Sequence, residues 1–117
     1  MDVSAKLQIK PGQRVVTIGA PDDAAPIAGE GAANTPETAD VVVAFVRSKA
    51  ELATVAGPAI EAARNDKLAW IAYPKAGKLG TDLNRDLLSA ALAAEGVQPV
   101  RQIAIDEVWS ALRFRPA

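Results

Sequence analysis

Lys75, Lys78, Thr81, Asp82 and Arg85 form the cluster most able to do chemistry in this sequence. Lys75 follows an apolar run closed by Pro74. It therefore falls at the carboxyl end of a strand, where ligands of open α/β sheets bind. Thr81 reads as a helix N-cap, and a helix opening there would turn free amides and partial positive charge toward an anion. Lys78 and Arg85 add cations. The ligand that fits is a small anion, a phosphate ester or a carboxylate. The plainer reading has Thr81 and Asp82 capping their own helix while the lysines stay solvated, and Asp82 would repel an anion.

A second cluster is Asp106, Trp109, Arg113 and Arg115. Trp109 and the arginines on one strand face would make a patch for a protein partner, since Trp and Arg dominate binding hot spots. Its structural counterpart packs Trp109 under a neighbouring helix and pairs Asp106 with Arg85 or Arg113. Asp22, Asp23 and Glu30 resemble the start of a carboxylate metal site, but their spacing matches no EF-hand loop and a flexible acidic loop suits them better. Ser110 has no histidine to activate it, because the chain contains neither histidine nor cysteine. That absence excludes Cys₄, Cys₂His₂ and His₃ zinc sites within one chain, and Ser-His-Asp or Cys-His catalysis with them.

Elements that could carry these residues are legible in the pattern. Gln13–Gly19 is a β-branched run framed by Pro11-Gly12 and Gly19-Ala20-Pro21, as a strand between turns. Asp40–Val46 and Leu68–Tyr73 are continuous apolar runs of the kind covered on both faces in a parallel sheet. Trp70 and Tyr73 belong to this core. Ser48 and Glu51 make a capping box ahead of Leu52, Val55, Ala56, Ala59, Ile60 and Ala63 on one helical face, which Gly57-Pro58 breaks into two short helices or kinks. Leu83, Leu87, Leu88, Ala91 and Ala94 give a further amphipathic helix closed by Gly96. Val97–Ile105 and Val108–Arg115 are strands, the second alternating as a half-exposed strand antiparallel to its predecessor. Between Pro21 and Ala39 the chain is small, acidic and rich in Pro and Gly, with Asp22–Ala28 as one or two helical turns and Gly31–Thr35 as a short extended piece.

Length and composition set the frame. The chain has 117 residues, half of them hydrophobic, with 4% aromatic and a formal net charge of −1. A chain of this size buries roughly two thirds of its unfolded surface and needs no staple. Near-neutral charge gives no general pull toward nucleic acid or anionic membranes. No apolar run approaches the ~20 residues of a membrane span, and Met1–Lys10 lacks the apolar stretch of a signal peptide. A cytoplasmic location follows as the expectation. No repeat or linker divides the chain, so residues 1–117 read as one α/β domain with a three-layer, mostly parallel, doubly wound sheet and an antiparallel strand pair at its C-terminus.

Two resemblances bear on this frame. The order of elements from Asp40 onward resembles the C-terminal half of the class I S-adenosylmethionine-dependent methyltransferase fold, which implies a Rossmann-like sheet whose last strand inserts antiparallel. Those enzymes place a glycine-rich turn after the first strand for close approach of the cofactor. Here that turn is Ile18-Gly19-Ala20-Pro21-Asp22, with one glycine and a proline, so the sequence carries no cofactor site of that kind. The blocks Tyr73-Pro74-Lys75, Thr81-Asp82-Leu83-Asn84-Arg85-Asp86 and Asp106-x-x-Trp109-Ser110-Ala111-Leu112-Arg113-Phe114-Arg115 resemble a family of short bacterial α/β domains of unknown function. That likeness implies the fold and a bacterial origin. The reading that results is a non-catalytic module, without cofactor or metal, that binds a protein partner, a second copy or a small anion. Its alternative is a methyltransferase-like or lysine-dependent enzyme with its site beside Lys75.

Overall fold

The computed structural model describes residues 3–21, 35–75 and 78–117. The helical turn expected at Asp22–Ala28, most of the extended piece at Gly31–Thr35, and Asp22, Asp23 and Glu30 lie outside the described residues. Five strands form one sheet: β1 (Val15–Ile18), β2 (Val41–Phe45), β3 (Leu68–Pro74), β4 (Val97–Ala104) and β5 (Trp109–Pro116). Their order is β1-β2-β3-β5-β4. β1, β2 and β3 are parallel, and β5 lies antiparallel between β3 and β4.

Alternation divides the side chains between two faces. Val42, Ala44, Ile71, Tyr73, Leu112 and Phe114 meet the helices in one core cluster. Those helices are α2 (Lys49–Thr54), α3 (Gly57–Arg64) and α4 (Arg85–Ala93). Val43, Phe45, Trp70, Ala72, Trp109 and Ala111 face the other way and are met by Leu7 and the short helix α1 (Val3–Lys6). The Trp70 indole Nε1–H donates to the Leu7 carbonyl at 3.0 Å, which fastens the N-terminal segment to this face. The α/β class and mixed sheet are as expected. Among the described residues the helical layer of the second face consists of α1 alone.

Local causes account for most boundaries. Pro58 stands in the first turn of α3, where its missing N–H costs nothing, and α2 and α3 are two short helices as the Gly57-Pro58 break implies. Ser48 accepts from the Glu51 amide at 3.4 Å, but the Glu51 carboxylate takes the Arg47 amide instead of that of Ser48, at 2.6 Å. The capping box is thus displaced by one residue on its return side.

Two expectations are corrected. α4 does not open at Thr81. It is capped by Asn84, whose side chain accepts from the Leu87 amide at 2.9 Å, while the Thr81 hydroxyl accepts from the Leu83 amide at 3.0 Å in a small turn of its own. Both residue types cap well. Apolar burial decides between them: with Asn84 as cap, Leu83 and Leu88 are both buried as a hydrophobic staple, and each such side chain contributes about 1.5–3 kcal/mol. The second correction concerns β5, which is antiparallel as expected but not half-exposed. Trp109 through Leu112 and Phe114 are buried because the strand has neighbours on both sides. The exposed strand is β4, an edge blunted by Pro99 and by a bulge between Pro99 and Arg101.

Candidate functional site

The carboxyl ends of β1, β2 and β3 share one edge of the sheet, because the three strands are parallel. There Lys75 of the first cluster meets the Asp106–Trp109 part of the second, while the other members of both clusters do not line the cleft. Pro74 pairs with Trp109 across the β3–β5 ladder, and the Lys75 amide donates to the Val108 carbonyl at 2.7 Å. A cleft of about 270 Å³ opens at this edge, lined by Pro21, Arg47, Leu79, Asp106, Val108 and Trp109.

Arg47 and Trp109 form its floor. Trp109 is 4% exposed and packs edge-on against Phe45, with ring centroids 5.3 Å apart at 79°. The Arg47 guanidinium lies over the indole, 5.5 Å from its centroid, and reaches Glu51 at 3.7 Å. An arginine over an aromatic ring contributes about 0.5–1 kcal/mol at an exposed site. Arg47 stands two residues past the end of β2 and was missed from sequence; a cation just past the end of a buried strand was the available signal.

The acids near this edge are held by backbone. Asp82 accepts from the Lys49 amide at 2.9 Å and so caps α2 from another part of the chain. One oxygen of Asp106 accepts from both the Val108 and Trp109 amides at 2.8 Å, closing the turn between β4 and β5. It pairs with neither Arg85 nor Arg113, contrary to the ion pair considered from sequence. The turn geometry aims its carboxylate along the chain, and Arg113 instead donates to the Gln8 side chain at 2.9 Å while Arg115 reaches Asp66 at 3.0 Å. Lys75 and Lys78 have no ion-pair partner among the described residues. Lys78 opens a single 3-10 turn, Lys78–Gly80, in which Leu79 is 60% exposed at φ 53°.

Arg85 stands apart from the cleft, at the first turn of α4, where its charge acts on Tyr73. Tyr73 is buried, its hydroxyl oxygen accepts from the Gln102 side chain at 3.2 Å, and burial raises its pKa against the opposing pull of Arg85. Ser110 is buried within β5. Among the described residues no group of three or more acidic side chains could hold a metal ion, and no helix is long and apolar enough to cross a membrane. The chain is thus an α/β domain with a cleft, lined in part by Arg47, at the carboxyl ends of its parallel strands. No protein-family model, curated protein or solved structure matches the chain.

Proposed function

We propose that this chain is a small, non-catalytic α/β module that works by binding, with a small anion in the carboxyl-edge cleft as its ligand. The observation that carries this reading is the division of labour at that edge. Asp82 and Asp106 spend oxygens on backbone amides, whereas the Arg47 guanidinium lies over Trp109 with a 3.7 Å approach to Glu51, and Lys75 and Lys78 have no ion-pair partner among the described residues. Carboxylate oxygens so engaged are held in place by the chain itself. An oxyanion on Arg47 gains a planar, charge-assisted pair of hydrogen bonds.

The scaffold reads as a reduced, doubly wound relative of the class I methyltransferase fold. Its support is the sheet order, with the last strand antiparallel inside the sheet. The turn that would hold an adenosyl cofactor is used differently here. Gly19 has φ 70°, and a Cβ on it would stand 2.8 Å from the Phe45 carbonyl oxygen. Its missing side chain therefore admits the protein's own β2 backbone. Titrating the full chain with inorganic phosphate and with acetate, followed by NMR, tests the binding reading. Saturable movement of the Arg47, Trp109 and Leu79 signals, lost in Arg47→Gln, is expected. No movement at these residues overturns it. S-adenosylmethionine should give no heat in calorimetry, and a saturable heat would restore the methyltransferase-like enzyme.

A further inference from the structure

We infer a second anion site, remote in the sheet from the cleft, in which Arg101 and Arg113 clamp one oxyanion between them. Its origin is the bulge in β4. Pro99 pairs with Phe114, but Arg101 pairs with Arg113, so two steps along β4 match one step along β5. Side chains alternate between faces, and an uninterrupted strand would put Arg101 on the helix side with Phe114. The extra residue, Val100, reverses that parity. Arg101 is turned to the α1 face directly opposite Arg113, while Gln102 is turned to the helix side, where it reaches the Tyr73 hydroxyl. Bulges of this kind commonly re-aim a side chain.

The pair is electrostatically incomplete on its own. Like charges directly opposite on neighbouring strands repel. The ion pairs among the described residues, Arg14–Asp40, Arg47–Glu51, Arg64–Glu61, Arg64–Glu95 and Arg115–Asp66, include neither arginine. Arg113 is held by a neutral acceptor, Gln8, and its Nε–H is out of water with no hydrogen-bond partner. A buried donor left unmade is costly, more so on a charged group. Lys6 places its ammonium on the Ala104 carbonyl at 3.1 Å, three residues along β4 from Arg101. The missing component is one with negative charge and several acceptor oxygens. A phosphate or a carboxylate meets both needs, whether it comes from a small ester or from an acidic peptide.

The experiment follows arginine side-chain Nε–Hε signals of the full chain during titration with inorganic phosphate and, separately, hexaglutamate. Saturable movement of the Arg101 and Arg113 signals is expected, with a phosphate dissociation constant on the order of 1 mM. Arg101→Gln sits on an exposed edge strand and should fold, and it should weaken binding about tenfold or more. Tighter binding of phosphate marks a small ester as the source, and tighter binding of hexaglutamate marks an acidic peptide. Arg47→Gln removes the cleft floor and leaves the Arg101 movement intact, which separates this site from the proposed function. No saturable movement with either probe overturns the clamp, and so does undiminished binding by Arg101→Gln.

Discussion

Replacing Gly19 with alanine makes the close approach of β2 to this turn measurable. Gly19 stands at φ 70°, where an L side chain is strained by roughly 1–2 kcal/mol. The added methyl would also stand 2.8 Å from the Phe45 carbonyl oxygen and 3.3 Å from Val55 Cγ1. The first contact is to backbone inside a buried strand, which cannot swing aside as a side-chain tip can. Overpacking of this sort costs about 1–3 kcal/mol. The sum is about 2–5 kcal/mol, a large fraction of the stability of a domain this size. Gly12 supplies the control, because its φ is 84° but a Cβ there meets nothing within 4 Å. Gly12→Ala should cost only the strain, about 1–2 kcal/mol. Both variants gain the same small benefit from a stiffer unfolded chain, so it cancels. Urea denaturation followed by tryptophan fluorescence gives the two losses. Gly19→Ala should exceed Gly12→Ala by at least about 1 kcal/mol. Equal losses would refute the claim that Gly19 exists for strand-to-turn packing.

Three further outcomes follow from particular contacts. Trp70→Phe removes the indole donor to the Leu7 carbonyl and should cost about 2–4 kcal/mol, with amide exchange accelerated most over Val3–Ile9. Asp106→Ala loses both turn bonds and should cost about 1–2 kcal/mol in thermal unfolding, whereas Asp106→Asn keeps the acceptor and should retain most of it. Tyr73 titrates above its ordinary value of 10.0 in the folded chain because burial disfavours the phenolate, so above pH 10.0 the unfolded state loses the proton first. Stability should fall as pH rises past that point, and Tyr73→Phe should flatten the slope in urea midpoints taken between pH 9 and 11.

Where a single physical force sets an element, the residues announce it. Val41–Phe45 and Ala69–Tyr73 are buried on both faces, as continuous apolar runs are in the middle of a parallel sheet. Gly57-Pro58 splits its helix because proline tolerates only a first turn. Legibility fails where two good local choices compete and a distant contact decides. Thr81 and Asn84 are both competent caps, and the burial of Leu83 and Leu88 in the distant core selects the later one. Trp109 to Arg115 alternates as an edge strand does, but its place is set by pairing with β3, some forty residues earlier in the chain. The site suffers for the same reason. Lys75 and Asp106 were visible as separate clusters, while Arg47 joined them only through packing on Trp109. The Arg101–Arg113 juxtaposition depends on one unpaired residue in β4, and no periodicity reveals which residue a strand will skip.

The placement of β5 has a consequence for synthesis. A ribosome makes β3 and β4 before the strand that separates them, so a nascent chain ending short of Trp109 carries two half-built objects: a parallel trio whose β3 rim is raw, and a lone β4 with no mate. Raw rims of this kind invite pairing with foreign strands. Once Trp109–Pro116 slides in as a keystone, both rims are closed in one act and the sheet becomes continuous.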